Sequence, residues 1–225
     1  EGYVHDYRQG EGVAAQGPFP VRRIGLDDVL DDFFFDQKYD HLIGASREAG
    51  KGQVVNLNVR RKIATVDLPG LPHLGSGITW EWKGTPVLAT TNLKDAIVSV
   101  IDMKEWKSVA AISVSGPGFF LRSHEATPYA WVDGMNGPKK DTLQVIDKRT
   151  LEVVKALTPA PGKIAAHIEF DRYGKYALAS IWEVDGAIVV YDAATFAEVK
   201  RIPASKPVGK YNVFNKVTRS EGTSH

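Results

Sequence analysis

The sequence predicts an all-β protein: a β-propeller of about four four-stranded blades, half of an eight-bladed ring. Three observations predict it. A pattern recurs roughly every 45 residues, each repeat has room for four short strands, and both ends of the chain read as pieces of further blades. Four short strands at that period are the signature of propeller blades.

The repeat is clearest in four hairpins: "QVVNLNVRRKIATVDL", "IVSVIDMKEWKSVAAISV", "TLQVIDKRTLEVVKALTP" and "AIVVYDAATFAEVKRIPA". Each is an alternating apolar strand, a polar turn residue and a second alternating strand. The turn residues are read as Asn58, Asp102, Asp147 and Asp192, at spacings of 44, 45 and 45. Asn and Asp side chains accept backbone hydrogen bonds in tight turns, so all four are structural residues. Before each hairpin lies another strand: "HLIGASR", "PVLATTN", "YAWVDG" and "YALASIW". Before each of those lies a shorter one: "FFFD", "GITW", "FFLR" and "HIEF".

This divides residues 28–205 into four blades, at about 28–70, 74–115, 117–160 and 162–205. Residues 1–27 read as the end of a preceding blade and a linker, because "VRRIGL" resembles "VKRIPA", the last strand of the fourth blade. Residues 206–225 read as a closing strand and tail, with "KYNVFN" in the register of a first strand. Such open ends call for a partner, either a missing N-terminal half, another chain or a second copy in a homodimer.

Composition narrows the function. Apolar residues make up 43% of the 225, enough for a real core. The 28 basic and 27 acidic residues leave a formal charge of +1, so there is no basic field to draw nucleic acid. No apolar run is long enough to cross a bilayer as a helix. With no cysteine, the chain has no disulfide, no thiolate metal site and no covalent attachment point for a c-type haem. It starts at Glu1 without a visible signal peptide, which reads as a processed chain or a piece of a longer one.

The first strand of a blade lines the central channel. Counting back 25 residues from each turn residue gives Phe33, Gly77, Arg122 and His167. His124 follows Arg122 by two residues, on the same side by the two-residue period of a strand. His73 precedes Gly77 in "LPHLGSG", read as a glycine-rich loop entering the channel. Tyr211 and Asn212 occupy the matching register in the tail. His73, Arg122, His124, His167 and Tyr211 are therefore expected at one mouth. Arginine forks pair with carboxylates, and imidazoles move protons or bind metal near neutral pH. The set suits a large anionic ligand with a redox or metal centre. Zinc is also open, though the ligands lack its usual close spacing.

The remaining features read as structural. "DDVLDDFFFD" is a solvated acidic approach to a strand, and His5 and His41 are surface residues. "GKGQ" lacks a phosphate-loop pattern. The five tryptophans are expected to pack blades, with Trp182 or Trp80 able to stack on a planar ligand.

Four motifs carry a resemblance: "PGLPHLGSGITW", "GPGFFLRSHE", "APGKIAAHIEFDRYGKYALASIWE" and "KPVGKYNVFNKVTRSEGTSH". Along essentially its whole length the chain resembles the haem d1-binding eight-bladed propellers of denitrifying bacteria. It is more similar to the branch that completes haem d1 than to the nitrite-reducing cytochrome cd1 branch, whose second distal histidine stands near "VLATTN", where this chain has Asn92. The resemblance implies a periplasmic parent whose N-terminal domain carries a c-type haem, with this chain as the C-terminal half of the d1 domain. It implies haem d1 or dihydro-haem d1 as the bound group and nitrite reductase as the acceptor of the finished cofactor. The implied reaction removes two electrons and two protons from a propionate to leave an acrylate. In it His73 is an iron ligand or proton acceptor on the distal side, and His167 the base at the propionate carbon. Arg122 pairs with a haem carboxylate, His124 and Tyr211 orient or relay, and Asn92 and Asn212 touch the cofactor. Nitrite reduction to nitric oxide and a non-enzymatic binding scaffold are the alternatives.

Overall fold

The computed structural model describes residues 2–5, 21–46 and 48–210. It has one two-stranded and four four-stranded antiparallel sheets. β1 (Gly2–His5) pairs with β2 (Val21–Ile24). Blade one is β3 (Asp32–Phe35), β4 (His41–Ser46), β5 (Lys51–Asn56) and β6 (Arg61–Asp67). Blade two is β7 (Pro72–Trp82), β8 (Thr85–Asn92), β9 (Ile97–Asp102) and β10 (Lys107–Ser113). Blade three is β11 (Leu121–Ser123), β12 (Tyr129–Asp133), β13 (Leu143–Asp147) and β14 (Glu152–Leu157). Blade four is β15 (Ala165–Phe170), β16 (Tyr176–Ile181), β17 (Ala187–Asp192) and β18 (Glu198–Pro203). Within each blade the strands lie in chain order, so every connection is a short hairpin. No helix long and apolar enough to cross a membrane occurs among the described residues.

The cores lie between blades. Phe34, Ile43 and Val54 of blade one meet Leu74, Leu88 and Ile101 of blade two. Ile78, Val87 and Val100 of blade two meet Leu121, Ala130 and Val132 of blade three. Trp131 and Val145 of blade three meet Ile168, Phe170 and Val189 of blade four. Fully burying one such aliphatic side chain is worth about 1.5–3 kcal/mol. Face-to-face stacking of blades therefore outweighs any single hairpin. At the rim, Trp80 and Trp82 donate their indole N–H groups to the carbonyls of Lys148 (3.0 Å) and Arg149 (2.9 Å), tying blade two to a turn of blade three. Trp80 is thereby blade packing. The outer strand β18 is solvent-exposed along its whole length.

One turn motif explains the repeat. Asp102 accepts the N–H groups of Lys104 and Glu105, Asp147 those of Arg149 and Thr150, and Asp192 those of Ala194 and Thr195. Four residues on, Trp106, Leu151 and Phe196 take positive φ values of 51°, 61° and 61°. In blade one the same part is played by Asn56, which accepts from Asn58 and Val59 and is followed four residues later by Arg60 at φ 59°. The structure thus corrects the expected turn residue from Asn58 to Asn56. "NLN" offers two asparagines, and only the first closes the strand.

Candidate functional site

The inner strands are not all alike. β3 and β11 pair with their neighbours in unbroken register. β15 does not. Ala166 opposes Ser180 and Glu169 opposes Leu178, so His167 and Ile168 together face one residue. This is a β-bulge, and His167 sits in it at φ 50°. Bulges re-aim side chains and are common beside functional sites. β7 has a larger irregularity: His73 opposes Thr91 and Ile78 opposes Ala89, with residues 74–77 between. His73 is therefore a paired strand residue, where the sequence suggested a loop. The "LGSG" segment is a bulge inside one long strand.

The bulges shift the matched positions. Tyr129 and Tyr176 each oppose the turn Asp of their blade, and Trp131 and Leu178 come two residues later. Arg122 opposes Trp131, and Glu169 opposes Leu178. Arg122 is thus the counterpart of Glu169 and not of His167. The counterpart of Ala166, beside His167, is His73 in blade two and Phe120 in blade three, whose carbonyl accepts the N–H of Asp133 at 3.3 Å.

His73, Phe120 and His167 therefore share one end of the inner strands. A continuous row of rings links them: His73 to Phe119 at 4.2 Å, Phe119 to Phe120 at 4.8 Å, and Phe120 to His167 at 4.4 Å. Trp182 stands 6.0 Å from Phe120 at the same end. Asp133 holds the row from below. It accepts the N–H groups of Phe119 (2.8 Å), Phe120 (3.0 Å) and Met135 (3.4 Å), and that of His167 as well. Burial pushes its pKa up to about 6, despite those hydrogen bonds.

The two imidazoles carry their protons on different edges. His73 Nδ1 lies 2.8 Å from the Phe119 carbonyl, which only accepts, so His73 donates there and keeps the lone pair on Nε2. His167 Nδ1 accepts the backbone N–H of Lys210 at 3.3 Å, which places the proton of the neutral ring on Nε2. Lys210 also donates its ammonium to the His167 carbonyl and to Ser180 Oγ (2.6 Å). Burial lowers the Lys210 pKa to about 7; Glu169 opposes that shift and Arg122 adds to it.

Arg122 lies deeper and is built into the wall. Only 1% exposed, it donates to Ser76 Oγ (3.3 Å) and the Leu121 carbonyl (2.9 Å), with Nε 3.9 Å from Glu169. It ties blades two, three and four together. His124 belongs to the opposite end. It lies beyond β11, about four residues or roughly 13 Å of strand from Phe120. Its Nδ1 accepts from Ala126 at 3.0 Å, and its ring fills the turn at Gly174, where a Cβ would come within 2.3 Å of it. Its Nε2 is buried without a partner among the described residues. Asn92 braces a turn: its carbonyl oxygen accepts from Leu71, Lys94 and Asp95, and its amide donates to Pro69. Its geometry gives it a backbone role.

Phe33 and Gly77 lie on inner strands as expected; Phe33 is exposed, and Gly77 lets blade one press against blade two, because a Cβ there would meet Phe34 at 3.1 Å. Tyr211 and Asn212 lie outside the described residues. No group of three or more His, Cys, Asp or Glu residues is placed to hold a metal ion among the described residues. His41 is no simple surface residue: it bonds Asp36 at 2.8 Å and leans on Trp106. The reading by spacing missed Phe119, Phe120, Asp133, Glu169 and Lys210. A charged residue in the apolar run "HIEF", and another closing "YAWVD", are the signals that pointed to two of them.

Four four-stranded blades in chain order define a β-propeller, with a row of rings and two buried imidazoles at one end of its inner strands. The chain belongs to the Cytochrome D1 heme domain family, which matches residues 6–216. It is 50% identical over 208 residues to the dihydro-heme d1 dehydrogenase of Pseudomonas aeruginosa, a match covering 92% of this chain and 42% of that protein. Over 112 residues it is 33% identical to Protein NirF of the same organism, covering 50% of this chain and 28% of that one. Its structure matches that of the dihydro-heme d1 dehydrogenase NirN in complex with DHE, with a TM-score of 0.86 and 48% identity over 95% of this chain and 45% of that one. Hydrazine synthase of Kuenenia stuttgartiensis, 15% identical with a TM-score of 0.64 over 78% of this chain and 49% of that one, shares the fold. The chain thus spans less than half the length of the curated relatives it matches, and its four blades are a half-propeller.

Proposed function

We propose that this chain is the C-terminal half of a haem d1-binding propeller in a periplasmic oxidoreductase that dehydrogenates a propionate of dihydro-haem d1 to acrylate, a step of haem d1 synthesis in denitrification. The observation that carries the reading is the ring row at one mouth, flanked by imidazoles with opposite proton-bearing edges. A flat macrocycle suits the rings, and a step that removes protons needs an acceptor close by. The family membership and the dihydro-heme d1 dehydrogenase matched by sequence and by structure support the same reading.

The reaction converts –CH2–CH2–COO⁻ into –CH=CH–COO⁻. Two C–H bonds break, a carbon–carbon π bond forms, and two protons and two electrons leave. The substrate's own macrocycle supplies the redox chemistry. The electrons would pass to an acceptor outside this chain, such as a c-type haem, which this cysteine-free chain has no residue to attach. His73, with its lone pair on Nε2, would ligate the iron or accept a proton. His167 presents Nε2–H to an acidic oxygen while Lys210 holds its Nδ1. As the proton acceptor at the propionate carbon it would use Nδ1, the nitrogen that carries the lone pair. Tyr211 is a further relay. The missing N-terminal half of the propeller completes the site, with a second copy as the alternative partner, and nitrite reductase receives the product.

Assaying the full-length protein against two substrates tests this. Dihydro-haem d1 with an electron acceptor should be converted to the acrylate form, and His167→Ala should lower that rate by about 100- to 10,000-fold with little change in melting temperature. Turnover of nitrite to nitric oxide, without dehydrogenation, would make the protein a nitrite reductase. Failure to bind any d-type haem would leave a binding scaffold.

A further inference from the structure

Lys210 did not stand out in the sequence, yet it touches the mouth at two points. Its backbone N–H reaches the ring of His167, and its side chain reaches the carbonyl of the same residue and Ser180 of the neighbouring strand. The two contacts do different things. The N–H determines which ring nitrogen of His167 carries the proton. The side chain ties down the peptide of a residue at φ 50°, a left-handed conformation that is strained for a non-glycine residue.

From this geometry we infer that Lys210 is a positioning residue for His167: it holds the bulge closed and fixes the imidazole in the Nε2–H tautomer. The assignment rests on the reading of the mouth as a dihydro-haem d1 site. The groups facing the Lys210 side chain are Glu169, Arg122 and Ser180. With a pKa lowered to about 7, the amine loses its charge readily near neutrality and donates in either form. Lys210 fixes His167 through two hydrogen bonds, one from its backbone N–H and one from its side chain. A buried Glu169–Arg122 pair beneath it already balances the wall.

With Lys210 in place, the neutral imidazole presents Nε2–H as a donor, the edge that suits a carboxylate.

The test uses the natural full-length protein with 15N-labelled histidine, the His167 signals being assigned by their loss in His167→Gln. The wild type should show the Nε2–H tautomer at His167. Lys210→Pro removes the backbone donor and should shift His167 toward the Nδ1–H form. Lys210→Met keeps the N–H and should keep the tautomer, while turnover falls about 10- to 100-fold as the bulge loosens. Lys210→Arg should restore most of that loss. An Nδ1–H tautomer in the wild type overturns the inference without any variant being made, as does an unchanged tautomer in folded Lys210→Pro. Dihydro-haem d1 binding is measured separately. If binding is absent but the tautomer responds as stated, the reading of the site fails while the positioning role stands.

Discussion

Blades two and four differ from blades one and three at one place, the inner strand. β3 and β11 run in unbroken register, while β7 and β15 are interrupted by bulges. Both mouth histidines lie on the interrupted strands: His73 is the last paired residue before one bulge, and His167 lies within the other. The regular strands contribute wall and brace instead. Arg122 ties three blades together, and Asp32 accepts the Gly75 N–H of the neighbouring bulge at 3.1 Å. Regular pairing builds the ring, and broken pairing presents functional groups.

Cutting the wall on the regular side should have the largest effect on stability. Arg122→Met leaves Glu169, itself buried, without its guanidinium, and breaking a buried pair from one side costs about 3–5 kcal/mol. Denaturant unfolding of the full-length protein should show that loss. A variant as stable as wild type would remove Arg122 from the wall and return it to ligand binding.

Asp133 joins the two kinds of strand, and its substitution should have a smaller, pH-dependent effect. Asp133→Asn turns an N–H toward donors that need an acceptor, a loss of about 1–3 kcal/mol. The folded pKa of Asp133 is raised from 3.8 to about 6. Its contribution to stability is therefore fully present below pH 3.8 and is lost as the pH rises through about 6. The penalty for Asp133→Asn should thus be larger at pH 5 than at pH 8. Equal penalties at both would mean that Asp133 does not titrate in that range.

The smallest effect separates two neighbouring asparagines. Asn56→Ala removes the acceptor for two backbone N–H groups and should cost about 0.5–2 kcal/mol, whereas Asn58→Ala, on an exposed turn, should stay within about 0.5 kcal/mol. The reverse order would restore Asn58 as the turn residue.

The repeat was legible because turn chemistry is local: Asp102, Asp147 and Asp192 act within three residues of themselves. The blade count and the strand order within each blade followed from that. The inner-strand register was not legible, because a bulge adds residues without changing composition. Counting from Asp192 thus aligned His167 with Arg122, where the folded strands align Glu169 with it. His124 was placed with the mouth by the two-residue period, but β11 ends at Ser123 and the chain turns away before His124 points anywhere near His73. Asn92 looked like a ligand-facing position, and its four hydrogen bonds became visible only once the turn at Gly70 had closed around it. Lys210 acts partly through its backbone N–H, which no residue type advertises.

The central claim is that the bulged strands carry the site and the far end of β11 does not. Titrating dihydro-haem d1 into full-length His73→Ala and His124→Ala while recording the visible absorption of the iron tests it most directly. His73→Ala should weaken binding and shift the iron bands, and His124→Ala should bind with the wild-type spectrum. A shifted spectrum in His124→Ala alongside wild-type behaviour in His73→Ala would contradict it.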